Sequence, residues 1–135
     1  MKTKFLKVSQ SELTKVRQLY ESVMSHACHG LFFREGEVYG EEITKISLQD
    51  RLRFFETARN LIKARGWSDE ITFAENSAEV HGSIEVCKSE MATCHRMRGI
   101  IRNLYEAHLN TKVHCVEVEC ESTGAPRCLF KVERV

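Results

Sequence analysis

The chain has a single proline, Pro126, and none of its cysteines stand in the paired C-x-x-C spacing. It also has almost no net charge: 20 Lys and Arg against 19 Asp and Glu leave +1 at neutral pH. That balance offers no global field to gather nucleic acid or an acidic membrane, so direct nucleic-acid binding is not expected. A long apolar run is missing too. Nothing approaches the roughly 18 consecutive apolar residues of a membrane helix. Met1 to Lys7 is basic, but no apolar stretch follows it as a signal peptide requires. The expected setting is the cytoplasm, away from membranes. Repeats, low-complexity tracts and linkers are absent, and 135 residues suit one domain over 1–135. With 42% apolar and 29% charged residues, the chain can bury a core without needing a metal or disulfides merely to fold.

What the chain has in excess is cysteine, six in all. With no secretory signal to favour disulfides, cysteines near acids and histidines point to metal binding or thiol chemistry. Cys115, Cys120 and Cys128 lie close together near the C-terminus.

The pattern predicts an α+β domain, an antiparallel sheet packed against several helices. Ser9-Gln-Ser-Glu12 is a capping box, followed by a helical stripe of Leu13, Val16, Tyr20, Val23 and Met24, with Gly30 as the stop. Leu31-Phe32-Phe33 reads as a short apolar segment or a new helix, and 38–43 is ambiguous. Ser47 is read as an N-cap for a helix with Leu48, Leu52, Phe55, Ala58, Leu61 and Ile62 on one face, ended by Gly66. Strands are predicted at 71–74 and 80–86. A long helix from about Lys88 to about His108 carries Met91, Cys94, Met97, Ile101 and Tyr105 on one side, and Asn110 closes it. The end is a hairpin, 113–120 and 128–132, turning through Gly124 and Pro126.

A hairpin turn brings its flanks together, so the Cys120 and Cys128 thiols can meet without long-range folding. Glu117 precedes Cys120 by three residues, and residues three apart on a regular strand face opposite ways. The strand must therefore bend or end near Cys120 if both are to reach one ion. A fourth ligand has to come from elsewhere. Cys94 is best placed, on the inner face of the preceding helix, and His95 or His114 could replace the carboxylate. Three thiolates with one carboxylate suit zinc better than an iron–sulfur cluster, which prefers four cysteines. The alternative is that these cysteines are small apolar core residues.

The segment Val116-Glu-Val-Glu-Cys120-Glu-Ser-Thr-Gly124-Ala-Pro-Arg-Cys128-Leu-Phe130 resembles the C-terminal signature of the 4-vinyl reductase domain family. Thr93-Cys94-His-Arg-Met-Arg-Gly99 looks like its upstream cysteine element, and Gly36-x-x-x-Gly40 is similar to its G-x-x-x-G helix entry. The resemblance implies a fold related to TRAPP-type trafficking subunits, a homodimer, and structural zinc held by Cys94, Glu117, Cys120 and Cys128. It also implies a buried apolar pocket for a small hydrophobic or aromatic molecule, since family members serve bacteriochlorophyll synthesis or sense small aromatics. The 135 residues leave no room for the ATPase and DNA-binding domains of such sensors, so a stand-alone member is expected, acting through a regulatory protein partner.

Phe54, Phe55, Trp67, Phe73, Met97 and Tyr105 are the candidate pocket residues, although their spacing equally describes a core. His26, Cys28 and His29 read as ordinary residues near a helix end rather than a second metal site. Arg96, Arg98 and Arg102 read as a solvated face. The leading expectation is a ligand-binding sensor or carrier. The alternatives are an accessory protein or reductase of tetrapyrrole metabolism, and a dimeric scaffold without a ligand. An enzyme is disfavoured, because the sequence shows no nucleophile–base pair, phosphate loop or cofactor fingerprint and a closed zinc site activates no water.

Overall fold

A computed structural model describes residues 2–135. The elements run α1 (Gln10–Met24), α2 (Cys28–Ser47), α3 (Phe54–Ala64), β1 (Glu70–Phe73), β2 (Ser77–His81), α4 (His95–Leu109), β3 (Val113–Glu119) and β4 (Cys128–Arg134). The strands form one antiparallel sheet in the order β1-β2-β4-β3. The expected α+β architecture is present. Among the described residues no helix is long and apolar enough to cross a membrane.

The core lies between α4 and the sheet. Met97, Ile100, Ile101, Leu104 and Tyr105 of α4 meet Ile71, Val80, Val113, Phe130 and Val132 of the strands, and α3 adds Phe54, Ala58 and Ile62. Burying each large apolar side chain contributes roughly 1.5–3 kcal/mol. Helix α2 covers α4 from the other side at backbone contact. A Cβ on Gly36 would stand 2.0 Å from the Arg96 carbonyl oxygen, and one on Gly99 would stand 2.2 Å from that of Phe33. The G-x-x-x-G spacing is thus the contact surface of a close helix crossing.

Several boundaries differ from the sequence pattern. Gly30 does not stop a helix. It lies inside α2, and the chain breaks earlier, at Ser25, whose φ is 53°. Cys28, Phe32, Gly36, Gly40, Ile43 and Ser47 form one continuous buried stripe, and that packing outweighs the cost of about 1 kcal/mol for glycine within a helix. Ser47 does not cap α3 but ends α2, its hydroxyl donating back to the Ile43 carbonyl at 2.8 Å. Leu52, placed on the α3 face by spacing, is 99% exposed, because α3 starts only at Phe54. Strand β2 spans Ser77–His81 rather than 80–86, ending before Gly82 at φ 66°. Helix α4 starts only at His95, well after the Lys88 that its apolar spacing suggests, and Met91 is exposed. Residues 82–94 instead form an irregular crossing segment over the end of the sheet.

The capping box is present: Ser9 Oγ accepts the Glu12 N–H at 3.1 Å and Glu12 Oε1 accepts the Ser9 N–H at 3.0 Å. The helix it starts buries none of its residues. Leu13 and Val16 are half-buried, while Tyr20, Val23 and Met24 face outward.

Candidate metal centre

Three pieces of chain meet where the sheet ends. Cys120 leaves β3, a short turn over Glu121–Thr123 and Gly124 at φ 98° reverses the chain, and Cys128 opens β4 opposite Val80. Cys94 arrives at the N-cap of α4. The Cys128 sulfur lies 4.0 Å from that of Cys120 and 3.8 Å from that of Cys94. Glu117 joins them because the β3–β4 register slips between Glu117 and Glu119. That bulge changes the parity of the strand, so two residues three apart reach one place.

The ligand atoms of Cys94, Glu117, Cys120 and Cys128 all lie within 4.8 Å of one another. Thiolates about 2.3 Å from a common tetrahedral ion stand about 3.8 Å apart, so the sulfur spacing fits a zinc-sized cation. Glu117 Oε1 accepts the Cys94 N–H at 3.2 Å, while its Oε2 is buried without a partner. A buried carboxylate oxygen left unpaired costs free energy that a cation would remove.

The electrostatics give the same picture. Hydrogen bonds from the Cys128 and Cys94 thiols draw the Cys120 pKa far down, and the same bonds to Cys120 push Cys94 and Cys128 up. Burial, then the charge on Cys120, pushes Glu117 up to about 8. Without a cation, one negative charge is all that the four acids hold comfortably.

The start of α4 is capped from a distance. The Cys94 side chain makes no cap bond. Instead the buried Glu85 carboxylate accepts the N–H groups of Arg96 and Met97 at 3.1 and 2.9 Å. Burial pushes Glu85 up to about 7, against these two donors and the Arg96 guanidinium. Glu85 lies in the irregular segment, and only its acidic type hints at the role. The arginines of α4 do not form a solvated face. Arg96 is buried between Glu85 and Glu35, Arg102 pairs with Glu37 and Glu106, and Arg98 stacks over Phe33 at 4.0 Å.

His95, the first residue of α4, points away from the thiols to stack on His29 at 4.2 Å, and burial drives it down to about 4. His114 is exposed on β3. His29 also stacks on His26 and bonds Glu21 at 2.7 Å, while Cys28 is buried with its thiol donating to the Ser25 carbonyl. Cys115 is buried, which pushes it up to about 12. Cys87 sits 2.8 Å from Arg17 Nη1.

Of the candidate pocket residues, Phe55 packs between Phe73 at 4.7 Å and Tyr105 at 5.2 Å, with Phe54 edge-on at 5.0 Å. Met97 is buried in the same core, whereas Trp67 lies half-buried against Tyr39. The Tyr105 hydroxyl reaches the carbonyls of Ala74 and Ser77 at 2.5 and 2.9 Å.

Residues 76–134 match the model of the vinyl-4-reductase domain family, a span that contains all four clustered ligands. No curated protein sequence matches the chain. Two solved structures share its fold over 98% of its length. One is the phenol-responsive sensory domain of the transcription activator PoxR with phenol, at TM-score 0.82 and 14% identity over 77% of that chain. The other is a vinyl-4-reductase family protein from Methanocaldococcus jannaschii, at TM-score 0.67 and 18% identity over 84% of that chain.

Proposed function

The chain belongs to the vinyl-4-reductase domain family through residues 76–134, and from that premise we propose that it is a single zinc-containing domain that binds a small hydrophobic or aromatic molecule in the cytoplasm and acts, as sensor or carrier, through a protein partner. The observation that carries the metal half is the buried convergence of Cys94, Glu117, Cys120 and Cys128 with an orphaned carboxylate oxygen. When bound, zinc would supply the positive charge that lets all three thiols ionise together. Four protein ligands leave no open position, so the centre is structural: it pins the start of α4 to the β3–β4 hairpin.

The ligand half is supported by the shared fold with a phenol-responsive domain. Phe54, Phe55, Phe73 and Tyr105, with Met97 beneath, provide apolar and ring-edge surface at the centre of the molecule. Trp67 stands apart from them. A planar aromatic guest would displace ring contacts that are worth about 0.5–1.5 kcal/mol each beyond burial. The test is elemental analysis joined to titration with phenol and larger aromatics, read by melting temperature. A ligand at 100 times its Kd stabilises by about 2.7 kcal/mol. No shift with any apolar aromatic would remove the ligand half and leave the metal half standing.

A second reading, a homodimeric scaffold, is favoured by the apolar side chains left outside. Leu19 is 59% exposed, Val23 75%, Leu31 53% and Val38 59%, all on α1 and α2. Exposed apolar patches mark association surfaces. Light scattering over a concentration series tests it: a dimer supports the reading, and a monomer at high micromolar concentration removes it.

A further inference from the structure

Each sulfur of the cluster faces a hydrogen-bonding group from outside it. Cys94 Sγ lies 3.3 Å from Ser83 Oγ, Cys120 Sγ lies 3.8 Å from Thr93 Oγ1, and the Glu121 N–H donates to Cys128 Sγ at 3.4 Å. Behind Thr93 stands Ser122, with 2.5 Å between the hydroxyl oxygens, and Ser122 Oγ accepts the Cys87 N–H at 3.1 Å. Ser83, Thr93 and Ser122 are 1%, 1% and 6% exposed. Ser83 and Thr93 lie at the two ends of the crossing segment and Ser122 in the turn between Cys120 and Cys128. Two separate pieces of chain therefore deliver buried hydroxyls to one spot.

Charge explains why such groups are needed. Three thiolates and a carboxylate bring four negative charges, and a dication cancels two. Glu117 takes part in no ion pair among the described residues. The excess must be spread over hydrogen-bond donors, since an uncompensated buried charge is costly. Backbone N–H groups serve Glu117 and Cys128. Hydroxyls stand beside Cys94 and Cys120.

We propose that Ser83, Thr93 and Ser122 are positioning residues of the metal centre, donating through Ser83 to Cys94 and through the chain Cys87 N–H, Ser122, Thr93 to Cys120, and that they set its metal affinity. The inference rests on the metal reading given above. Ser122 receives from the backbone, so its proton is free for Thr93 Oγ1, and the single Thr93 proton is then shared between two acceptors. Thr93 Oγ1 lies 2.9 Å from the Glu85 carbonyl and 3.8 Å from Cys120. When Cys120 is a metal-bound thiolate, the proton turns to it. When sulfur is protonated, the proton returns to the carbonyl. Outer partners of this kind typically change metal affinity by about 10–100-fold.

The experiment uses the full chain with zinc or cobalt(II) as the probe. Wild type, Ser83→Ala, Thr93→Val, Thr93→Ser and Ser122→Ala are compared by chelator competition and by the sulfur-to-cobalt charge-transfer band, with circular dichroism to confirm folding. Ser83→Ala and Thr93→Val each weaken zinc binding about 10–100-fold and shift the cobalt band, while Thr93→Ser restores both. Ser122→Ala gives a smaller change in the same direction. If Thr93→Val does not fold, Ser83→Ala and Ser122→Ala carry the test. Folded variants with wild-type affinity and an unshifted band overturn the proposal, whatever happens to their melting temperature. Wild-type protein that takes up neither metal overturns the metal reading itself, and shows it before any variant is compared.

Discussion

Helices α1 and α4 are both fifteen residues long, yet they occupy opposite ends of the stability scale. Helix α4 buries Met97, Ile100, Ile101, Leu104 and Tyr105 between the sheet and α2, and its first turn is fixed by Glu85 and by the thiol cluster. Helix α1 buries nothing. It is held at points: Gln10 Nε2 donates to the Val86 carbonyl at 2.9 Å, and Arg17 reaches Cys87. The sequence marks α1 with the better local start signal, a complete capping box, while α4 has none. Local signals decide where a helix can begin, whereas burial decides what holds it. The half of the molecule with chemistry is the half whose helix is defined by distant residues.

Four changes probe that contrast, from the strongest outward. Cys128→Ser removes a ligand at the junction of hairpin and α4. It should abolish zinc retention and cost about 4 kcal/mol or more, since loss of a structural metal is among the largest single-site effects. Calorimetry of metal-loaded protein should show the melting point fall by more than about 10 °C. Next is Gly99→Ala, whose Cβ would meet the Phe33 carbonyl at 2.2 Å. Forcing the α2–α4 crossing apart costs about 1–3 kcal/mol by urea unfolding.

Third is the remote cap. Glu85, pushed up to about 7 by burial, has a folded pKa above its unfolded value near 4.5. The folded state then binds the extra proton, so this contribution is fully present below about pH 4.5 and is lost as pH rises through about 7. Melting temperature of zinc-loaded protein between about pH 5 and 8 should carry that downward component, and Glu85→Gln should flatten it. An unchanged slope in the variant would assign the dependence to other groups. The smallest effect belongs to α1. Val23→Ser, at a residue 75% exposed, should alter stability by no more than about 0.5 kcal/mol. If the outward face is an interface, the same change weakens self-association in sedimentation.

The hairpin and its two cysteines are legible in the sequence because the turn signal at Gly124 and Pro126 lies between them and acts locally. The need for a bend near Cys120 is legible as geometry, but the bulge that satisfies it, between Glu117 and Glu119, belongs to pairing with β4 and leaves no local mark. Helix α2 is hidden because Gly30, Gly36 and Gly40 read as breaks. In the fold Gly36 and Gly40 form a contact surface, and a partner helix absorbs the cost of all three. The start of α4 is hidden for a related reason. Met91 has helical spacing, but Glu85 caps α4 at Arg96 and Met97, so the preceding residues cross the sheet end instead. The hydroxyls of Ser83, Thr93 and Ser122 carry no signal at all, since serine and threonine are common and only the folded chain brings these three to sulfur.

The most direct measurement of the central claim is elemental analysis of the full chain purified without added metal. A closed centre of Cys94, Glu117, Cys120 and Cys128 predicts about one zinc per chain, retained through dialysis. Folded protein that carries no metal, and acquires none after incubation with zinc and dialysis, would contradict it.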